Sequence, residues 1–366
     1  MKMKNNNKGI TLVALVITII ILLILAGITI ASLTQTGLFA AAQDAKTKTE
    51  EKTEEENTIL EEYEDAITEQ VTGKKPLKPL ETNKKYESKA ELKDANGNKI
   101  VVPAGFKIVS DATTNNATTV DQGIVIEDAT GTDTNGSQFV WIPVGDIKKA
   151  DGTTTSIALN RYSFDSNGVA TEYTSTNFFE EDKTNTTSLK NYGNTISENI
   201  NSFKTSVATN GGFYIGRYEA RKSSSGKLTT VKTDSVWNDI TQPNAATNSK
   251  NMYSTGVTSE LMNSYAWDTA TLFLQTFGGN NKYSRQNSSN NGSLATTGTD
   301  NDKQCNVYDM ASNVREWTTE TCSDSDNPCT DRGGDYDSSD YYTSYRCGTS
   351  KSSSSITFGF RPILYF

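Results

Sequence analysis

The chain has 366 residues, with 35 Lys and Arg against 44 Asp and Glu, a formal net charge of −9, and four cysteines. Histidine is absent, which removes the commonest general base and the commonest ligand for zinc or non-haem iron, and excludes Ser–His and Cys–His nucleophile pairs. The acidic balance gives no basic footprint, and no nucleic-acid partner is expected.

The first thirty residues place Lys2, Lys4 and Lys8 before a Gly9–Ile10 junction, followed by an uncharged run over residues 10–30. At ~1.5 Å per residue this run makes a helix of about 30 Å, the thickness of a bilayer's hydrocarbon core. The spacing predicts a membrane-spanning helix, and the lysines on its short side favour leaving that side in the cytoplasm, with everything after Ile30 outside. A secretory signal would have a shorter apolar core with its cleavage site after it. The order Gly9, Ile10, then KGITLVALVITIIILLILAGITI resembles a type IV prepilin, which implies processing at Gly9 and Ile10, a leader over 1–9 and other pilin subunits as partners. Ala14 stands at the fifth mature position, where major pilins carry Glu. A minor pilin, a filament-tip subunit or a plain membrane anchor fits that departure.

Residues 44–70 hold eleven acidic and three basic side chains, so they supply eight of the nine net negative charges. Leu60, Tyr63 and Ile67, flanked by Ile59 and Ala66, recur at helical spacing, and the segment reads as a solvated stalk that continues the anchor helix over 10–70. At Gly73 the sequence changes to GKKPLKPLE, where two prolines and a glycine stop the helix and predict a linker over 71–93.

The body, 94–366, carries strand-length runs rich in β-branched and aromatic residues, IVVPAGFKIV, QFVWIPV and GGFYIGRYEA, separated by turn residues. It is large enough to bury a full core. Helices are expected only near 188–206 and 259–277, the latter with Leu261, Tyr265, Trp267, Ala270, Leu272 and Phe273 in a helix-compatible run. The fold class is therefore α+β.

NVYDMASNVREWTTE, DRGGDYDSS, YRCGTS and FGFRPILYF follow in the order seen in the formylglycine-generating enzyme (sulfatase-modifying factor) family, and QFVWIPVG and GGFYIGRYEA look like its early strands. The resemblance spans most of 100–366 and implies a C-type-lectin-like fold. The family's oxidases place two redox cysteines after the RGG motif; here those positions fall near Ser338 and near Thr343 or Ser344. The resemblance therefore implies a non-catalytic member. Calcium is the one cofactor it suggests, with Asn313 and Glu316 as the matching side chains, although Ser312 and Arg315 replace the usual Gly and Trp. The other reading is that Asn313 shapes a turn, Glu316 pairs with an arginine such as Arg361, and Trp317 lies in the core.

Cys305, Cys322, Cys329 and Cys347 all lie late in the chain. Outside a membrane they can oxidise. Three pairings exist, and the short loop between Cys322 and Cys329 favours a cross-link there, leaving Cys305 with Cys347.

Residues 335–355 are the most unusual in the body: seventeen of the twenty-one are Asp, Tyr, Ser or Thr. Tyr supplies rigid amphipathic contact area and Ser adaptable hydrogen bonds, the composition of antibody combining loops. Asp335, Tyr336, Asp337, Ser339, Asp340, Tyr341, Tyr342 and Tyr345 are the expected ligand-binding residues, against the plainer reading of a polar loop without a role. The segment also resembles the variable proteins of diversity-generating retroelements, which share the lectin-like fold and a GFRP-type ending. Adenine changes in AAC codons reach every residue type present except Lys351. The sequence thus describes a membrane-anchored, pilin-like stalk that presents a binding domain to an extracellular protein or glycan; a catalytic family member or a structural minor pilin is the alternative. Mass spectrometry of the mature protein is expected to find Ile10 at its N-terminus, and an intact Met1 in the membrane fraction would rule out processing at Gly9.

Overall fold

The computed structural model describes residues 12–35, 38–73, 76–110, 117–174, 179–180, 200–232, 234–288, 292–298 and 302–366. Gly9 and Ile10, the expected processing junction, lie outside them. The chain divides into two compact units, Met1–Pro76 and Leu77–Phe366.

The first unit holds the helices Leu12–Gln35 and Leu38–Thr72. Large apolar side chains from Leu15 to Leu25 are exposed, as are Leu60, Tyr63 and Ile67 on the acidic helix. Among the described residues no helix is long and apolar enough to cross a membrane. The second helix is weakly reinforced by exposed i,i+4 pairs such as Lys48 with Asp44 at 2.8 Å, each contributing roughly 0.3–0.5 kcal/mol. It stops where expected: Gly73 adopts φ 68° and donates its N–H to Glu69 O at 2.8 Å.

The second unit begins earlier than the sequence suggested. Strands Lys78–Pro79 and Ala90–Lys93 join Lys99–Val102 in a three-stranded sheet. Leu80 and Tyr86 pack against the core and Leu92 is buried in it. Residues 77–93 are thus body rather than linker, because the proline-bearing stretch finds a strand to pair with.

A six-stranded antiparallel sheet forms the centre, in the order Thr258–Leu261, Pro362–Tyr365, Gly212–Gly216, Gln138–Pro143, Val125–Asp128, Phe106–Val109. Side chains alternate across a sheet, and here alternate residues enter two different cores. Ile126, Phe139, Trp141, Tyr214 and Leu364 face one. Val125, Val140, Ile142, Phe213, Ile215 and Ile363 face the other. Burial of both faces explains why these strands read as continuous apolar runs rather than as alternating ones.

Helices cover the sheet. Ile200–Asn210 contributes Phe203 and Val207, and Ser264–Phe277 contributes Trp267, Ala270, Phe273 and Leu274 to the second core. The helix expected over 259–277 begins only at Ser264, since Thr258–Leu261 completes the sheet edge and Asn263 Oδ1 caps the helix by accepting from Ala266 N at 2.8 Å. Of the helix expected over 188–206, residues 188–199 lie outside the described residues. A further short helix, Gln242–Lys250, buries Ala245 and Ala246 against the first core.

The second large sheet has Arg315–Cys322 at its centre, paired with Phe179–Glu180 and Cys329–Arg332; Arg346–Thr349 follows, and Phe358–Phe360 runs parallel to Arg315–Trp317. The expected disulfides are not formed: all four cysteines are free. Across the ladder Cys329 faces Thr321 and Thr349, Cys347 faces Asp331, and Cys305 lies elsewhere, with Sγ 3.7 Å from Asp121 O.

Gly212 shows how tightly the central strands approach. A Cβ there would sit 2.4 Å from the Trp141 ring and 2.6 Å from Ile142 O. Gly212→Ala is expected to lower stability by about 1–3 kcal/mol, read as a fall in the melting temperature; an unchanged melting temperature would contradict this packing.

Candidate functional site

The site is built where the helix Ser264–Phe277, the strand Arg315–Cys322 and the chain after the DRGG motif converge. Arg332 has no exposed surface, so its charge must be met inside the protein. Nη2 donates to Asp268 Oδ1 at 2.5 Å, Nη1 to Glu320 Oε2 at 3.0 Å and Nε to Tyr345 O at 2.9 Å. Arg346 bonds both carboxylates as well, with Nε to Glu320 at 2.9 Å, and Arg161 pairs with Glu320. Three guanidiniums thus share two carboxylates, and the Tyr173 ring covers Arg161 and Arg346 at 4.6 and 4.3 Å. Burial alone would raise the Glu320 pKa, but Arg346, Arg332 and Arg161 outweigh it and hold the carboxyl down at about 2.

A second bracket carries the loop itself. Arg315 donates to Asp331 at 2.8 Å and to Asp335 at 3.2 Å, and its guanidinium carbon lies 4.3 Å from the Tyr341 ring centre and 4.6 Å from that of Phe358. Asp335 Oδ1 in turn accepts from Ser338 N at 2.7 Å. Beyond it, Thr343 N donates to Gln286 O at 3.0 Å, Thr343 Oγ1 to Tyr283 O at 2.7 Å, and Ser344 N to Ser284 O at 3.0 Å. Trp267 Nε1 donates to Thr343 O at 2.9 Å, and Asn287 Nδ2 to Ser338 O at 2.9 Å. The loop is sewn on both sides to a rigid frame.

The expected ligand-binding residues separate into two groups. Asp335 and Tyr336 are buried, contrary to expectation. Asp335 is consumed by Arg315 and a turn, while Tyr336 N donates to Asn313 O at 2.9 Å. Asp337, Ser339 and Asp340 are exposed, and Tyr341, Tyr342 and Tyr345 are partly exposed. Tyr345 meets Tyr341 edge-on at 4.8 Å and Tyr342 at 5.4 Å between ring centres. Ser338, near the first thiol position of the resembled oxidases, is partly exposed, whereas Thr343 and Ser344 are buried.

The neighbouring segment 283–288 was not singled out from sequence. It supplies the carbonyls that hold the loop and places Arg285 with its guanidinium carbon 3.6 Å from the Tyr342 ring centre. Its polar string YSRQNSS was visible, but nothing local paired it with residues sixty positions away.

Asn313 and Glu316 do not form the expected cation site. Glu316 is engaged by Arg361, at 2.7 Å to Oε1 and 3.1 Å to Oε2. Asn313, at φ 62°, donates to Glu219 Oε2 at 2.6 Å and accepts from Ala295 N at 2.9 Å. Both side chains are buried and committed, and the donor set does not fit calcium. Trp317 is buried in the core. Among the described residues no group of three or more Cys, Asp or Glu side chains is placed to hold a metal ion. Glu219, beside this pair, has its pKa raised by burial and by Asp309 and Glu316.

Residues 242–364 match the family model FGE-sulfatase, described as a sulfatase-modifying factor enzyme 1-like domain. No curated protein matches the chain. The matched stretch contains the Arg315 bracket and the whole loop, and all of the Arg332 bracket except Arg161 and Tyr173.

Glu320 gives a pH signature. Its folded pKa lies below the ordinary 4.5, so its stabilisation is complete above that value and is lost as pH falls toward about 2. Glu320→Gln is expected to cost about 3–5 kcal/mol at neutral pH, where it leaves guanidiniums unpaired, and to flatten the acid limb of melting temperature against pH. A parallel acid limb would show that Glu320 is not the group responsible.

Proposed function

We propose that this chain is a non-catalytic recognition protein whose binding face is the 337–345 loop of its sulfatase-modifying-factor-type domain, presented outside a cell on an N-terminal anchor helix. One observation carries the reading: Tyr341, Tyr342 and Tyr345 are partly exposed, in mutual contact, and fixed to a frame whose buried charges are paired. Rigid tyrosines among exposed Asp and Ser are an economical way to build contact area, because little conformational entropy is lost on binding. The exposed apolar side chains of the first helix, Leu15 to Leu25, support the anchor, since such a sleeve needs lipid or other helices around it. Incorporation into a pilus and diversification of 335–355 by a retroelement belong to the same proposal.

The non-catalytic reading rests on side chains. Ser338 and Thr343 or Ser344 occupy the places where the resembled oxidases keep thiols, and the four cysteines present are elsewhere. Burial further pushes the thiols of Cys305 and Cys329 up to about 12, away from the reactive thiolate.

The test compares the full chain with its Tyr341→Ala/Tyr345→Ala variant for binding to cell surfaces and to any partner so isolated. Affinity should fall by roughly 1–4 kcal/mol if these rings are hot spots, with no conversion of cysteine in a sulfatase-type peptide by either protein in the presence of copper. Unchanged affinity would place the partner elsewhere, and robust turnover would make the chain an enzyme.

A further inference from the structure

Eight arginines occur in the sequence, at 161, 217, 221, 285, 315, 332, 346 and 361. Seven donate to a carboxylate, an amide oxygen or a backbone carbonyl: Arg161 and Arg332 to Glu320, Arg217 to Gln138, Arg221 to Asp234, Arg315 to Asp331, Arg346 to Asp268 and Arg361 to Glu316. Arg285 differs. Among the described residues its guanidinium lies over the Tyr342 ring, at 3.6 Å, and neither Asp337 nor Asp340 forms an ion pair with it.

That contact orients the group without using its hydrogen bonds. A guanidinium carbon 3.6 Å from a ring centre is stacked on the ring face, which satisfies charge and flat surface through cation–π and dispersion forces. The N–H donors lie in the guanidinium plane and stay available. Their position is fixed from below: Ser284, fully buried, donates N and Oγ to Gln275 Oε1 at 3.0 and 2.6 Å. Ser284 O and Gln286 O receive the amides of Ser344 and Thr343. Arg285 and Tyr342 therefore move as one piece. A planar fork held in this way, partly exposed and with no acceptor among the described residues, matches the two oxygens of a carboxylate.

We propose that Arg285 is a specificity-determining residue of the binding face and receives a carboxylate side chain from a protein partner. This rests on the recognition reading above and adds the chemistry of the ligand. A protein is favoured over other acidic surfaces because the fork lies beside three partly exposed tyrosines, the composition of surfaces that bind folded proteins and peptides.

Fluorescence anisotropy of the full chain with a labelled acetyl-(Gly-Glu)4-amide peptide tests it, with the glutamine counterpart, 3′-sialyllactose and inorganic phosphate as comparisons. Binding should require Glu, and Arg285→Gln should weaken it about tenfold or more, the loss expected for a charged hydrogen bond. Arg285→Lys should recover only part, because an ammonium cannot offer the fork. Failure of the Glu peptide to bind, equal binding of the Gln peptide, an unchanged affinity in Arg285→Gln, or binding of sialyllactose or phosphate alone would each overturn the proposal. Tyr341→Ala/Tyr345→Ala separates the two readings. If that pair loses partner binding while Arg285→Gln does not, recognition by the loop stands and the carboxylate inference falls; Arg285-dependent peptide binding that survives the tyrosine changes has the opposite meaning.

Discussion

A guanidinium taken wholly out of water must find acceptors for its donors, and Arg332 finds them in three separate parts of the chain: Asp268 on a helix, Glu320 on a strand and the carbonyl of Tyr345 in a loop. None of these elements can shift far without stranding a buried charge. The glycines that follow let the chain pass where a side chain could not. Gly333 adopts φ 90°, and a Cβ on Gly334 would lie 2.2 Å from Ala311 O. The DRGG motif is thus a device for bringing a buried cation and a tight turn to one place.

A second buried arginine organises the other end of the second sheet. Arg361 donates to Gly216 O at 2.7 Å, Tyr308 O at 2.8 Å and Glu316, linking the FGFRP segment to both large sheets. Burial, and then the nearby Asp309 and Glu316, raise the pKa of Glu219. The pairing with Arg361 explains why Glu316 is not free to meet a cation. An ion pair of this kind adds little net stability over a well-packed apolar pair, but breaking it leaves an uncompensated charge. Its role is to join particular elements in one arrangement.

Between these two anchors the 335–355 segment divides by burial rather than by composition. Asp335 and Tyr336 have the same residue types as Asp337 and Tyr341, yet the first two are framework and the latter two reach solvent. Arg315 marks the boundary: it binds Asp335 below and stacks on Tyr341 above. The exposed part is small and rigid, so changes of residue at its surface need not disturb the charges beneath.

Much of this was legible in the linear chain where chemistry is local. The apolar runs around Phe139, Tyr214 and Ile363 announced strands, Gly73 announced a helix end, and the ordered motifs from Asn306 onward announced the domain. Composition marked 335–355 as the most unusual segment of the body, and the absence of cysteine at 338, 343 and 344 followed from reading those residues. What the sequence could not decide was pairing over long separations. That 77–93 is strand-bearing body, that Asn313 and Glu316 serve Glu219 and Arg361, that the cysteines stand apart, and that Arg285 lies on Tyr342 all depend on which segments become neighbours. The physical reason is that a residue's type states what it can donate, accept or bury, whereas only the packed chain determines whether that capacity is consumed inside the protein or left facing solvent.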